Sequence, residues 1–130
     1  MSLHTFKFEA ISADGRLHDT RVVRAMQTLQ ADPALSADDL ASMLQLSTSR
    51  FQHLFKMQMG VSVTTYAREV RLHRALYLLE TTWLSVKQIR NDLGISDASH
   101  FARDFRMRFG ISPSAYRRRF PSSFGQQIAG

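Results

Sequence analysis

The feature that most constrains the fold is that the sequence repeats itself. Leu40, Leu44, Leu46 and Ser47 correspond to Ile89, Leu93, Ile95 and Ser96 at a separation of 49 residues. Phe51, Phe55, Lys56, Gly60, Val61, Ser62 and Tyr66 correspond to Phe101, Phe105, Arg106, Gly110, Ile111, Ser112 and Tyr116 at a separation of 50. The second copy thus holds one extra residue, which the alignment places at the start of its second helix. Each copy reads as a short helix, a tight turn, a longer helix, a glycine and a Ser-capped next helix. Such self-similarity marks one supersecondary unit built twice, and this one is a helix-turn-helix. The first helix of each unit is too short to stand alone and must pack across the second.

The rest of the chain agrees with an all-α domain of about seven helices. Val22, Val23, Met26 and Leu29 share one face of a helix from about Asp19 to Ala31, closed by Asp32-Pro33. Ser36 with Asp39, and Ser85 with Gln88, have the spacing of capping boxes. Ser47 and Ser62 are N-cap candidates, Gly60 and Gly110 are C′ candidates, and either Ser96 or Asp97 starts the sixth helix. Ser112-Pro113 is an N-cap followed by Pro at N1. The first helix-turn-helix falls at about 36–60, a linker helix at about 62–80 and the second unit at about 85–110. Residues 1–18 read as an N-terminal extension with a short alternating stretch at Phe6, Phe8 and Ala10. Residues 121–130 read as a flexible tail.

Composition narrows the chemistry. The 130 residues contain no cysteine, which excludes disulfides, thiolate nucleophiles and cysteine-based zinc sites. Histidines occur at 4, 18, 53, 73 and 100, with neither metal-ligand spacing nor a nucleophile constellation. No catalytic residue, metal or cofactor is expected, and the chain does not read as an enzyme. It has neither a signal-peptide pattern nor an apolar run of about 20 residues, so it reads as cytoplasmic, without a membrane partner. The formal charge of +6 is unevenly placed: residues 46–130 carry thirteen basic and five acidic groups, and residues 1–45 four basic and six acidic. An Arg-rich surface points to a polyanion.

The helix faces locate that surface. Phe51 and Phe55, like Phe101 and Phe105, are four residues apart and share a face; they are core residues. The outward face of the first longer helix then holds Thr48, Ser49, Arg50, Gln52, His53 and Lys56. That of the second holds Ala98, Ser99, His100, Ala102, Arg103, Arg106 and Met107. Small and polar residues at the start, with a cation one turn on, suit a helix entering the DNA major groove by its N-terminal end. Arg can take guanine O6 and N7 bidentately, while flanking cations and helix N-termini can hold phosphates. A linker of sixteen residues, Thr64 to Leu79, spans about 24 Å. With the widths of the flanking units, this could bring two reading helices about 34 Å apart, one DNA turn. The outward residues of the two copies differ, so the site is expected to be asymmetric. Met57 and Met59 are expected to fill gaps near Gly60, and Trp83 to pack the linker against the second unit.

These residues resemble the DNA-binding domain of the AraC/XylS family of bacterial transcription regulators, over about 19–120. The resemblance rests on L-A-x-x-L-x-L-S-x-S-R-F-x-x-L-F-K-x-x-x-G from Leu40 to Gly60, R-L-x-x-A from Arg71 to Ala75, and G-I-S-D-A-S-H-F-x-R-D-F-R-x-R-F-G-I-S-P-x-x-Y-R from Gly94 to Arg117. It implies two helix-turn-helix units joined by a long helix, double-stranded promoter DNA as partner, RNA polymerase as a second partner, and regulation that is often activation. It implies base reading by Ser49, Arg50, Gln52 and His53 and by Ala98, Ser99 and Arg103. Phosphate contacts are expected from Thr48, Lys56, His100, Arg106 and Arg117. Two departures stand out: Arg90 follows Ile89 where the family often has Ala, and Ile95 follows Gly94 where an aromatic is usual. Family members often carry a ligand-binding or dimerisation domain; none is expected here, nor a small-molecule effector site. The competing reading is a helix-turn-helix protein-interaction module acting mainly through RNA polymerase or another regulator.

Overall fold

The computed structural model of the chain describes residues 19–120. The alternating stretch near Phe6 and the tail from 121 lie outside them. The described residues form seven helices and no strand: α1 (Thr20–Ala31), α2 (Ala37–Met43), α3 (Thr48–Met59), α4 (Val63–Thr81), α5 (Val86–Asp92), α6 (Ala98–Phe109) and α7 (Pro113–Arg119).

Local chemistry sets the helix boundaries. Ser36 and Asp39 close a full capping box at the start of α2, and Ser85 and Gln88 do the same for α5. The hydroxyls of Ser47, Ser62 and Ser112 accept the backbone N–H of Arg50, Thr65 and Ala115 and start α3, α4 and α7. Each satisfies one of the N–H groups that a helix start leaves without a partner. Gly60 and Gly110, at φ 78° and 89°, end α3 and α6.

The chain forms two compact units, divided within α4 between Val70 and Arg71. In the first, Val22, Met26 and Leu29 of α1 bury against Leu40 and Ala41 of α2, Phe51 and Phe55 of α3, and Val63, Tyr66 and Val70 of α4. The Phe51 and Phe55 rings meet edge-on at 6.0 Å, and Phe55 meets Tyr66 at 5.5 Å. The Tyr66 hydroxyl accepts from the Gln30 amide at 3.3 Å, and burial raises its pKa. Asp19 at the head of α1 donates its backbone N–H to Gln58 near the end of α3 at 2.7 Å.

The second unit repeats the plan with the other half of α4. Leu72, Ala75, Leu76 and Leu79 bury against Ile89 and Leu93 of α5 and Phe101 and Phe105 of α6. Tyr116 of α7 packs on this core, its ring 6.4 Å from Phe105. Burial, then the nearby Glu80 carboxylate, which accepts its hydroxyl, push the Tyr116 pKa up to about 12. His73 of α4 is buried, edge-on to Phe109 and 3.2 Å from an Arg108 nitrogen. The apolar positions of α4 thus form two sets, one ending at Val70 and one starting at Leu72. Two residues are about 200° of helix, so one unbroken stripe could not include both.

One expectation about apolar residues fails in part. Met59 packs on the first core, but Met57 is 70 % exposed and fills no gap. Trp83, expected to pack the linker against the second unit, is 57 % exposed.

Candidate nucleic-acid interface

The first candidate face is that of α3 opposite its buried phenylalanines. Ser49, Arg50, Gln52, His53 and Lys56 are all exposed there, and Thr48 is half-buried. Two open concavities flank this face. One, of about 310 Å³, is lined by Ser49, Arg50, His53 and Met57 of α3, by Leu46 and Leu54, and by Arg21 of α1. The other, of about 540 Å³, is lined by Gln52, His53, Lys56 and Met57 together with Ser62, Val63 and Thr64. Four of the proposed base-reading residues therefore border continuous relief on one surface. Arg21 was not legible as a neighbour of this face, because it enters from a helix 28 residues before Ser49. Its guanidinium makes a two-pronged ion pair with Asp19, at 3.0 and 2.8 Å, which draws the Asp19 carboxyl below its usual pKa.

Thr48 already has a partner within the protein. Its hydroxyl donates to the Asp38 carboxylate of α2 at 2.7 Å. A hydroxyl has one proton, so a phosphate oxygen would compete with Asp38 for it.

The second candidate face is the matching one of α6, where Ala98, Ser99, His100, Arg103 and Arg106 are exposed. Its start has a different electrostatic character. The N-cap is Asp97, whose carboxylate accepts the His100 N–H at 2.9 Å. That backbone bond is the main reason the Asp97 pKa lies below its usual value; the His100 and Arg103 charges add to it. A carboxylate thus sits where a phosphate would approach the helix start, whereas α3 is capped by the neutral Ser47. The assignment of Asp97 as N-cap also relocates the extra residue of the repeat. α3 and α6 begin 50 residues apart, so Asp97 matches Ser47. The insertion is Ser96, in the turn before α6 rather than in the helix.

Arg90 accounts for how that longer turn closes. Its terminal nitrogen donates to the carbonyls of Ile95 and Ser96 at 3.1 and 3.2 Å. The equivalent residue of the first unit is Ala41, which is buried. The sequence marked Arg90 only as a bulky departure.

Arg117 of α7 is half-buried. Its Nε and one terminal nitrogen are shielded from solvent and have no hydrogen-bond partner among the described residues, and burial lowers its pKa. Shielding two guanidinium nitrogens that lack an acceptor is costly.

Comparison with known proteins matches this geometry. The helix-turn-helix domain family matches residues 40–119. The arabinose operon regulatory protein of Escherichia coli K12 is 37 % identical over 102 residues, which is 76 % of this chain and 35 % of that protein. The chain belongs to the AraC/XylS family. Its fold is the all-α double helix-turn-helix DNA-binding domain of that family. A crystal structure of an AraC-type regulator from Chromobacterium violaceum superposes with a TM-score of 0.66 at 31 % identity, covering 80 % of this chain and 95 % of that one. The DNA-binding domain of AdpA, a global transcriptional factor solved in complex with a target DNA, superposes at 0.60 with 26 % identity, covering 78 % and 94 %. The matched relatives are transcription regulators rather than enzymes. The chain spans about a third of the length of these curated relatives. Among the described residues, no helix of this AraC/XylS domain is long and apolar enough to cross a membrane.

Proposed function

We propose that this domain binds double-stranded promoter DNA sequence-specifically, laying α3 and α6 into successive major grooves of an asymmetric site. Two helix-turn-helix units that expose unlike polar and cationic faces carry this reading. Ser49, Arg50, Gln52 and His53 read one half-site; Ala98, Ser99 and Arg103 read the other. Ala98 offers no hydrogen bond and suits a thymine methyl, while Arg103 suits guanine. Lys56, Arg106, His100, Arg117 and the start of α3 at Thr48 hold phosphates.

The two units contribute unequal charge. Residues 19–70 carry five basic and five acidic groups, and residues 71–120 ten basic and four acidic. Electrostatic attraction to the phosphate backbone therefore comes mainly from the second unit, and the near-neutral first unit depends on contacts to base edges. In the cell the domain acts in the cytoplasm within transcription activation, with RNA polymerase as its protein partner. No small-molecule effector site is assigned to residues 19–120; both concavities open on the reading face.

Selection of binding sites from random duplex DNA, followed by mobility shifts between about 50 and 200 mM salt, tests this reading. A selected motif with two unlike halves one helical turn apart is the expected result. Absence of salt-sensitive DNA binding at low ionic strength would favour the protein-interaction module instead.

A further inference from the structure

Met57 and Met107 are the two most exposed large apolar side chains among the described residues, at 70 % and 80 %. They are equivalent positions, 50 residues apart like α3 and α6 themselves. Each lies four residues after a proposed base-reading residue, His53 or Arg103, and so on the same helix face. Met57 lines both concavities beside α3, in company with His53. A single exposed methionine needs no explanation. Two, at the same place on two mostly polar and cationic faces, do.

The geometry points to Met57 and Met107 as specificity-determining residues that pack on thymine 5-methyl groups, one in each half-site. This rests on the DNA-reading function proposed above. The thymine methyl is the one apolar feature among the base edges of the major groove. Methionine is unbranched and polarisable, and it adapts to a small apolar partner without demanding one rotamer. The residue just before each methionine is a cation, Lys56 or Arg106, and both cations are exposed. That charge favours a polyanion over an apolar protein surface as the occupant of this face. Contact with a methyl group would return apolar surface that the free protein leaves in water.

The test uses the site selected by the unaltered chain, with each thymine replaced in turn by deoxyuridine, which lacks only the methyl. Loss of one methyl contact should weaken binding about fourfold. At one thymine in each half-site the unaltered chain should show that loss. Met57→Ala should be insensitive to the replacement in one half and Met107→Ala in the other, while Met57→Leu should keep the sensitivity. Both positions are exposed, so melting temperatures should be unchanged, and this serves as the folding control. Specific binding with no such coupling at any thymine overturns the inference. Unchanged DNA affinity with lost transcription activation in the alanine variants also overturns it and assigns the methionines to a protein partner. No specific binding by the unaltered chain overturns the parent reading instead.

Discussion

Arg90 closes the turn that Ser96 lengthens: its guanidinium donates to the Ser96 carbonyl at 3.2 Å and to the neighbouring Ile95 carbonyl at 3.1 Å. The unit with the inserted residue is thus the one in which a long cation replaces the buried alanine of the other. The side chain gives two carbonyls of the lengthened turn a hydrogen-bond donor. Arg90→Ala should lower stability by about 1–2 kcal/mol, the loss of hydrogen bonds from a charged donor discounted for partial exposure. It should also weaken binding to the half-site read by α6 more than to that read by α3. Denaturant melts, with mobility shifts on probes carrying one intact half-site each, check both.

The same turn differs at its left-handed residue. Gly94 has φ 71° in the second unit, and Gln45 has φ 60° in the first. A side chain in this region costs roughly 1 kcal/mol that glycine avoids. Gln45→Gly should therefore raise stability by a few tenths to about 1 kcal/mol, since glycine's extra freedom in the unfolded chain offsets part of the gain. Gly94→Gln should lower stability by about 1 kcal/mol. Chemical denaturation of the two variants measures both.

Thr48 separates a structural role from a DNA role. Thr48→Val keeps the shape and deletes the hydrogen bond to Asp38, which should cost about 1 kcal/mol. If the hydroxyl serves mainly to tie α3 to α2, DNA affinity should stay unchanged. A loss of about 1 kcal/mol on every DNA sequence, with the salt slope unchanged because the hydroxyl is neutral, would keep Thr48 among the phosphate contacts.

Arg103 and Arg117 should fail differently. Arg103→Ala should lose about 1–3 kcal/mol on the selected site and relax preference at one base pair. Arg117→Ala should weaken all sequences alike and flatten the salt slope. Equal loss on every DNA for both variants would remove the base-reading assignment of Arg103.

Acid should destabilise the fold through its caps. The Asp19, Asp39 and Asp97 carboxyls are all held below the usual 3.8. The dominant cause is the Arg21 side chain for Asp19, the Ser36 N–H for Asp39 and the His100 N–H for Asp97. A carboxyl with a depressed folded-state pKa contributes stability that is present above its unfolded value and lost as pH falls through its folded value. Melting temperature should therefore change little through these groups down to about pH 5 and fall below about pH 4. Asp97→Asn should reduce the drop, as followed by circular dichroism against pH.

The helices and their caps were legible in the sequence because each depends on residues within one or two turns of each other, and the duplicated unit because the same pattern recurs 49 and 50 residues on. Ser36 with Asp39 and Ser85 with Gln88 have the spacing of capping boxes, and Phe51 with Phe55 stand about one helical turn apart. The outward faces of α3 and α6 follow from the same periodicity, since fixing the buried phenylalanines fixes what remains exposed. Tertiary packing decided the rest. Arg21 joins the rim of the first reading face, Asp38 takes the Thr48 proton, Arg90 reaches the carbonyls of a lengthened turn, and Met57 stays in water instead of filling a gap. None of these has a local signature: a long or polar side chain can point several ways, and its direction depends on which partner atoms the fold brings within about 3 Å. Sequence periodicity sets which face of a helix is buried, while packing sets what each exposed side chain meets.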